Sequence, residues 1–562
     1  MSDITSFSSD SGIHRSSLER EISTDSLDTL KAFDFEAFDS LPAHAKFSFA
    51  SLLTNILHLD FYENGDEETR DFSLQVLKKV EETCKLPYAT NQTLYQSLKG
   101  NTISNDPTVF ITNIKEAVND GYHDVLMPIC NLLTSYLEGG VYDARFRVFL
   151  RHVCALLAVN WETFENAEDY FVKQLTKEQY AESKENIKVR LRDQKIAKIK
   201  RVALISVAGG IGGILIGLTG GLAAPLVASG ASAIIGTSVA TAGLASATGA
   251  TIFGTVFGVA GGGLASFKMN KRVGNIEQFE FVKFSDNVSL HTVITVSGWI
   301  NRNSEICAFT YPWRNLRASN EQYALVYESR YLLELGNALS YLVSGVVSAA
   351  VQQTLMETAL HGILTAIAWP VALISVAAII DNPWNVCIAR SVEIGFHLAE
   401  TLIKRVHGQK PVTLIGYSLG ARVIFYCLLK LSERKNSRGI IENVILLGAP
   451  VTASQTQWEE ASKVVSGRII NGYCKNDWML KFLYRTMSAQ MSIAGIAPVK
   501  FKNSNRNKVA NYNLSHIVKG HLDYAEKLEE ILDALGVKID KHEAEAFELT
   551  NKEDLESISI RN

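Results

Sequence analysis

Residues 411–431, PVTLIGYSLGARVIFYCLLKL, are the part of the chain that most constrains its fold. A short apolar run rich in β-branched residues, 412–415, leads into the G-x-S-x-G pattern at 416–420, and an amphipathic helical pattern follows. In a strand, sharp turn and helix of this kind, the glycines avoid clashes between neighbouring Cβ atoms, and the helix dipole favours negative charge at the serine. We therefore predict an α/β fold with Ser418 as a nucleophile. The alternative is a glycine-rich βα turn that carries an ordinary serine.

A nucleophilic serine in this setting predicts an acidic residue and then a histidine further along the chain, each just after a later strand. Apolar runs at 443–447 and 467–473 indicate the next two strands. Asp477 follows the second of them, at the carboxyl end of the strand, where the acid of a catalytic triad is expected. The alternative is that Asp477 only caps the helix that begins at Trp478. With this order of residues we predict an α/β-hydrolase core.

Two histidines, His516 and His521, are candidates for the general base. A short strand is predicted at about 512–517, so His516 would lie within it and be packed there, whereas His521 falls in the loop before the last helix. We therefore favour His521. In this scheme Ser418 attacks an acyl carbon, His521 accepts the serine proton, and Asp477 fixes the tautomer of the imidazole.

An oxyanion hole requires two backbone N–H donors directed at the alkoxide that forms during acyl transfer. One donor is expected from Leu419, the residue after the nucleophile. The other should follow an earlier strand, and 292–296 is such a strand, with the loop Ser-Gly-Trp-Ile at 297–300 after it. Gly298 or Trp299 is therefore the predicted second donor, and the sequence leaves the choice between them open.

Residues 202–267 contain no Asp, Glu, Lys, Arg or His over 66 positions and include sixteen glycines. A helical span of the bilayer core takes about 20 apolar residues, so this length is enough for two spans and a turn. Both flanks are basic, at 198–201 and 268–272, which by the positive-inside rule places both ends on the cytosolic side. Glycines at four-residue spacing let membrane helices approach closely. We predict a glycine-rich transmembrane hairpin; the alternative is a buried Gly/Ala-rich hairpin of a soluble protein.

A second apolar region spans 335–380 and is interrupted by Glu357 and His361. Its second half is long enough to cross or enter a membrane, but it lies inside the predicted hydrolase domain. A buried core helix or an apolar lid is therefore as acceptable an interpretation as a membrane span. The region is expected to end at Asp-Asn-Pro-Trp, 381–384, with an amphipathic helix after it to about Arg405.

These patterns divide the chain into segments, because its length exceeds that of a single compact domain. Apolar residues at helical spacing, with polar loops between them, predict an all-helical domain before the hairpin. The predicted segments are a disordered Ser-rich tail at 1–40, a helical domain at 41–165, a charged helix or coiled coil at 166–201, the transmembrane hairpin at 202–267, the α/β-hydrolase domain at 280–537 with its apolar insertion at 335–380, and a C-terminal tail at 538–562.

The composition excludes several classes of function. Fifty-five Lys and Arg against 59 Asp and Glu give a net charge of −4, so there is no global basic field to hold nucleic acid. Seven dispersed cysteines without a C-x-x-C pair indicate reduced thiols, neither a disulfide framework nor a zinc site. Histidines and acidic residues do not cluster at metal-ligand spacing, and acyl transfer of this type needs no cofactor. We expect no metal and no cofactor.

The combination of these motifs resembles the transmembrane and coiled-coil domain-containing proteins of eukaryotes that carry an α/β-hydrolase-like domain. The resemblance covers about 45–535 and includes the glycine-rich segment ahead of the hydrolase core. Its motifs are SGW at 297–299, DNPW at 381–384, GYSLGAR at 416–422, LLGAP at 446–450, NDWML at 476–480 and GHLDY at 520–524. The resemblance implies a membrane-associated protein with a lipase- or esterase-like catalytic domain, and it assigns the triad to Ser418, Asp477 and His521.

Three hypotheses of function remain. The first is a membrane-associated serine hydrolase that cleaves an acyl ester, with the lipid bilayer and that ester, such as a lipid, as its partners. The second is a catalytically silent α/β-hydrolase-fold scaffold or trafficking-interaction protein, whose N-terminal helical domain would bind protein partners. The third is a glycine-zipper assembly in the membrane, which leaves the serine turn unexplained. We favour the first, as an integral protein of an intracellular membrane with its catalytic domain facing the cytosol.

Overall fold

The structure is a computed structural model that describes residues 41–101, 106–119, 125–180, 255–257, 264, 276–285, 287–301, 305–344, 371–484, 492–501 and 508–540. Its centre is a seven-stranded sheet in the order β1-β3-β2-β4-β5-β6-β7. The strands are β1 (Phe279–Lys283), β2 (Thr292–Val296), β3 (Glu321–Tyr327), β4 (Val412–Tyr417), β5 (Ile441–Leu447), β6 (Ile469–Tyr473) and β7 (Val509–Asn513). β1 is antiparallel to β3, and every other neighbouring pair in this sheet is parallel. The predicted α/β class is confirmed.

Burial explains which strands the sequence pattern revealed. Every residue of β2, β3 and β4 is buried, and parallel strands covered on both faces have nearly continuous apolar sequences. β2 spans the predicted residues, and β4 to β6 overlap the predicted runs. β1 was missed because it is a half-buried edge strand that carries Glu280 and Lys283.

Helices precede the sheet and connect its strands. Those before the sheet are α1 (Ala43–Leu57), which continues into a π-helical turn (His58–Tyr62), α2 (Glu67–Cys84), α3 (Tyr88–Leu98), α4 (Thr108–Asn119), α5 (Leu126–Leu137), α6 (Ala144–Leu156) and α7 (Trp161–Tyr180). Those between and after the strands are α8 (Glu305–Thr310), which is followed by a 3-10 turn (Tyr311–Trp313), α9 (Ser329–Ser344), α10 (Val371–Ile403), α11 (Leu419–Ser432), α12 (Gln455–Ser462), α13 (Trp478–Leu483), α14 (Asp523–Glu526) and α15 (Leu528–Ala534).

The helices before the sheet bury their apolar stripes in one common cluster. α7 belongs to this cluster, since Phe164, Phe171 and Leu175 are buried in it. The predicted boundary after residue 165 therefore falls inside a helix, because the buried apolar stripe of α7 continues past the point where charged residues become frequent. The rest of the predicted coiled coil, 181–201, and the tail at 1–40 lie outside the described residues.

α10 is longer than the sequence analysis expected, because it runs through Pro383 without ending at 381–384. Proline removes one helical hydrogen bond and usually kinks or ends a helix. Here Ile380, Trp384 and Cys387 are buried on either side of the proline. This packing holds the helix continuous where the local sequence predicted a break.

The apolar insertion at 335–380 is described only at its two ends. Leu335 and Leu339 on α9 and Ile380 on α10 are buried in the core around the sheet. These ends are therefore core helices, and residues 345–370 lie outside the described residues.

Among the helices that the structure describes, none combines the length and the apolarity that a membrane span requires. Most of 202–267 lies outside the described residues, so the hairpin stays a prediction. Near the end of that segment, Val256 and Phe257 are buried in the helical cluster, and Leu264 is buried in the sheet core. The Val256 carbonyl also accepts a hydrogen bond from the Gln409 amide at 2.9 Å. These three positions therefore belong to the protein core.

The predicted C-terminal tail starts inside the folded part of the chain. Ile539 forms an isolated β-bridge with Leu316, and the Asp540 amide donates to the Asn315 carbonyl at 2.7 Å. Lys538 Nζ lies 2.7 Å from Glu165 Oε2 on α7. The folded part of the chain that contains the sheet thus extends to residue 540, and 541–562 lie outside the described residues.

A buried ion-pair network joins the helical cluster to the sheet. Arg147 on α6 is 2% exposed and lies 2.8 Å from both Glu168 on α7 and Glu442 on β5. Arg151 Nη2 also lies 2.8 Å from the Glu442 carboxylate. Burial raises the pKa of Glu442, but the two arginines outweigh burial and lower it to about 2. Glu442 is at the amino end of β5, the sheet edge opposite to that of Ser418.

We expect Glu442→Gln to lower the free energy of unfolding by about 3 kcal/mol, because it removes one partner of a buried ion pair. The effect should depend on pH. The native carboxylate stabilises the fold above its unfolded pKa of about 4.3, and this stabilisation is lost as the pH falls towards about 2. Urea unfolding followed by circular dichroism should therefore show a smaller difference between variant and wild type at pH 3 than at pH 7.

Glu460→Gln is the matched control, because it breaks a solvent-exposed pair with Lys463 and should leave stability nearly unchanged. Equal losses in the two variants would show that the buried network does not hold the helical cluster against the sheet.

Candidate active site

Ser418 lies at the tip of the turn between β4 and α11. Its backbone has φ 52° and ψ −124°, a conformation that a residue with a Cβ adopts only when its surroundings impose it. Close packing accounts for the two flanking glycines. A Cβ on Gly420 would lie 1.9 Å from the Val296 carbonyl oxygen, and one on Gly416 would lie 2.7 Å from Ile424. The strand, sharp turn and helix around Ser418 thus have the geometry of a nucleophile elbow.

A continuous chain of hydrogen bonds joins Ser418, His521 and Asp477. Ser418 Oγ is 2.7 Å from His521 Nε2, and His521 Nδ1 is 2.6 Å from Asp477 Oδ2. The three residues follow β4, β7 and β6, whose carboxyl ends meet at one edge of the parallel sheet. Ser418 and His521 are each 1% exposed and Asp477 is 0% exposed. The structure therefore brings together the three residues that the sequence analysis selected.

Asp477 binds two partners at once. Its Oδ1 accepts the Leu480 amide at 2.9 Å as the N-cap of α13, while its Oδ2 faces His521. Helix capping and the triad position were predicted as alternatives for Asp477, but the two oxygens of a carboxylate can satisfy both. The capping bond also orients the carboxylate towards the imidazole.

This pairing decides which imidazole nitrogen carries the proton. A carboxylate only accepts hydrogen bonds, so the proton lies on His521 Nδ1 and the bond to Asp477 is donated by the imidazole. His521 Nε2 is then free to accept the hydroxyl proton of Ser418. The imidazole is thus in the tautomer that a general base for Ser418 requires.

His516 lies in a turn after β7 and is exposed. The expectation that it is packed in a strand at 512–517 was wrong, since β7 spans Val509–Asn513. β7 is an edge strand with three exposed residues, so its sequence lacks the apolar alternation that marks a strand. Only His521 of the two candidates contacts Ser418.

The loop after β2 lies directly against the serine. A Cβ on Gly298 would lie 2.6 Å from Ser418 Cβ and 2.8 Å from the Leu419 nitrogen, so glycine permits this approach. Leu419 is the first residue of α11, where an amide has no acceptor within its own helix. Both predicted sources of oxyanion donors therefore border the nucleophile.

Tyr417 contacts the loop that carries the two candidates for the second donor. Burial raises the pKa of Tyr417 to about 12. The Tyr417 hydroxyl donates to the Trp299 carbonyl at 3.5 Å. Trp299 is thus anchored through its carbonyl, and Gly298 and Trp299 both stay candidates for the second donor.

Aromatic rings enclose the imidazole of His521. The ring centroids of Trp299 and Tyr524 lie 5.4 and 5.7 Å from that of His521. Tyr524 packs on Gly448, which has φ 55° and where a Cβ would lie 2.4 Å from the ring. In the sequence, Gly448 and Tyr524 stand out only as parts of the LLGAP and GHLDY motifs. The motifs do not show that the two residues touch, and only the fold reveals this contact.

Within the described part of the chain, no group of three or more His, Cys, Asp or Glu side chains could hold a metal ion. None of the seven cysteines forms a disulfide bond, and Cys307 alone among them is exposed. The arrangement around Ser418 can pass a proton from a hydroxyl to an imidazole and can place two amides beside a developing oxyanion. Those are the requirements of nucleophilic acyl transfer.

Comparison with known proteins gives a family and several relatives. A family model described as "Protein of unknown function (DUF726)" matches residues 197–538. An uncharacterized membrane protein of Caenorhabditis elegans is 50% identical over 510 residues, which cover 90% of this chain and 82% of that protein. No solved structure matches the chain significantly.

Two further relatives have descriptive names. The transmembrane and coiled-coil domain-containing protein STS1 of Oryza sativa subsp. japonica is 36% identical over 70% of this chain and 61% of its own length. The probable lipase MIL1 of Saccharomyces cerevisiae is 32% identical over 76% of this chain and 40% of its own length. The resemblance inferred from the motifs is confirmed, and the family match spans more than half of the chain. The chain belongs to the DUF726 family.

Proposed function

We propose that this protein is a membrane-associated serine hydrolase that cleaves an acyl ester through Ser418, His521 and Asp477. The observation that carries the proposal is the chain of hydrogen bonds at 2.7 and 2.6 Å between these residues, with the serine in a strained turn at a helix N-terminus. A serine that is only structural would not require this backbone conformation. The name of the yeast relative, a probable lipase, agrees with the same chemistry.

The reaction follows from the positions of the donors and acceptors. Ser418 Oγ attacks the acyl carbon while its proton passes to His521 Nε2, and the amides of Leu419 and Trp299 stabilise the oxyanion. Collapse of this intermediate breaks the ester bond, and His521 returns the proton to the departing alcohol. Water then attacks the acyl-serine with His521 again as the base, which releases the carboxylic acid and restores Ser418. Asp477 holds the imidazole tautomer throughout.

A lipid is the proposed substrate class, and the membrane is its proposed source. The charge-free segment 202–267 is long enough for a hairpin of two spans, and relatives are named as membrane proteins. The basic flanks of this segment direct both ends, and so the hydrolase domain, to the cytosolic side of an intracellular membrane.

A second candidate function is favoured by one observation. Ser418 and His521 are each only 1% exposed, which also suits a catalytically silent hydrolase-fold scaffold or trafficking-interaction protein that binds protein partners through its N-terminal helices. The two candidates differ in whether Ser418 reacts with an acyl-type electrophile.

The first test treats detergent-solubilised protein with a fluorescent fluorophosphonate, which forms a covalent bond to an activated serine and loses fluoride. We expect labelling of the wild type and none of Ser418→Ala, because Ser418 has His521 within reach as its base. In-gel fluorescence against total protein measures the result. Folded wild-type protein that is not labelled would favour the scaffold.

The second test is Asp477→Asn. Asparagine is a good N-cap, so α13 should be retained, while the amide cannot hold His521 in the required tautomer. We expect kcat/KM for p-nitrophenyl butyrate to fall by about 10³- to 10⁴-fold with little change in the melting temperature. A variant with wild-type turnover would remove Asp477 from the mechanism.

The third test addresses the membrane. The full-length protein should remain in the membrane pellet after extraction at pH 11 and should enter the supernatant only with detergent, as a hairpin of two spans requires. Quantitative release by alkali would contradict the hairpin and leave the hydrolase proposal unaffected.

A further inference from the structure

The loop after β2 is held by three buried aromatic side chains. Trp313 Nε1 donates to Ser297 Oγ at 3.0 Å, and Tyr327 Oη donates to the Ser297 carbonyl at 2.8 Å. Tyr417 Oη donates to the Trp299 carbonyl at 3.5 Å. The three rings are only 1–2% exposed, so these bonds form away from bulk water and are stronger than exposed ones.

The indole and the two phenols keep the protons that they donate in these hydrogen bonds. An indole N–H can only donate, which fixes the direction of the bond from Trp313. Burial raises the pKa of Tyr327 well above its ordinary value and that of Tyr417 to about 12. Both phenols therefore keep their protons at neutral pH.

The hydrogen bonds from the three aromatic side chains lie on both sides of the peptide group that joins Gly298 to Trp299. The preceding peptide is held through the Ser297 carbonyl, which accepts from Tyr327. The following peptide is held through the Trp299 carbonyl. Glycine has the widest choice of backbone angles. Without these hydrogen bonds, the peptide group between Gly298 and Trp299 could therefore rotate. With both neighbouring peptides held, the direction of the Trp299 N–H is set.

We propose that Trp313 and Tyr327 are positioning residues that aim the Trp299 amide at the same point as the Leu419 amide and so complete the oxyanion hole. This inference rests on the proposed hydrolase function. The two side chains come from a 3-10 turn and from the end of β3, and neither hydrogen bond involves Ser418, His521 or Asp477. Their contribution should appear in the transition state and leave substrate binding unchanged.

The test compares matched variants of the full-length protein in detergent. Trp313→Phe and Tyr327→Phe each remove one donor and keep a ring in the same place. The controls are Trp458→Phe and Tyr323→Phe, because these buried side chains donate at 2.8 and 3.2 Å to acceptors outside the loop. The measurements are kcat and KM for p-nitrophenyl butyrate, the Ki of a trifluoromethyl ketone with a matching chain, and the melting temperature.

The ketone reports on the oxyanion hole directly. Ser418 Oγ adds to its carbonyl, the serine proton passes to His521, and the resulting hemiketal oxyanion occupies the position of the reaction intermediate. We expect each loop variant to lower kcat by about 10- to 100-fold, to raise the Ki by a similar factor and to leave KM within about twofold, since removing an oxyanion donor outright costs about 10²- to 10³-fold. The controls should keep wild-type kcat and Ki at comparable melting temperatures.

Three results would overturn the proposal. Loop variants with the kcat and Ki of their controls would show that the aromatic donors do not aim the amide. A fall in activity that follows the melting temperature in variants and controls alike would indicate a merely structural role. A wild type that neither hydrolyses the ester nor binds the ketone would reject the proposed function as well, so the two failures are distinguishable.

Discussion

The close approach of the serine turn to β2 is the constraint on which the rest of the site depends. Because Gly420 has no side chain, α11 begins against the Val296 carbonyl. Because Gly298 has none, the loop after β2 lies directly against Ser418. A methyl group at either glycine would overlap backbone atoms. This contact brings the loop after β2 to the serine and to the first amide of α11, although the loop lies far from both along the chain.

The hydrogen bonds of the site also satisfy buried polar groups. Ser418, His521 and Asp477 are almost fully buried. Each is hydrogen-bonded to the next, and this series of hydrogen bonds ends at the Leu480 amide. An unpaired buried polar group costs about 1–3 kcal/mol, and the backbone strain at Ser418 costs a similar amount. Folding and the proposed chemistry therefore depend on the same contacts, which is why variants such as Asp477→Asn, which keeps the cap, are informative.

The carboxyl and amino ends of the parallel strands hold different groups of residues. The carboxyl ends of the parallel strands hold Ser418 and its partners, where ligands bind in open α/β sheets. The amino ends hold the ion pairs between Arg147 and Glu442, which join the helical cluster to the sheet. Val256 and Phe257 are also buried in the helical cluster, so the glycine-rich segment contributes to the protein core near its end.

Local patterns by themselves determined the strand–turn–helix around Ser418, the central strands, and the order of serine, acid and histidine, because these depend on spacing and on continuous apolar runs. They did not reveal β1 or the bounds of β7, since edge strands are half solvated and lack that pattern. They also ended a helix at Pro383 that tertiary packing keeps continuous. That buried aromatic side chains hold the loop after β2 was decided only by the tertiary structure. The physical reason is that a hydrogen bond between residues from different strands depends on how the strands and helices pack, which no local spacing encodes.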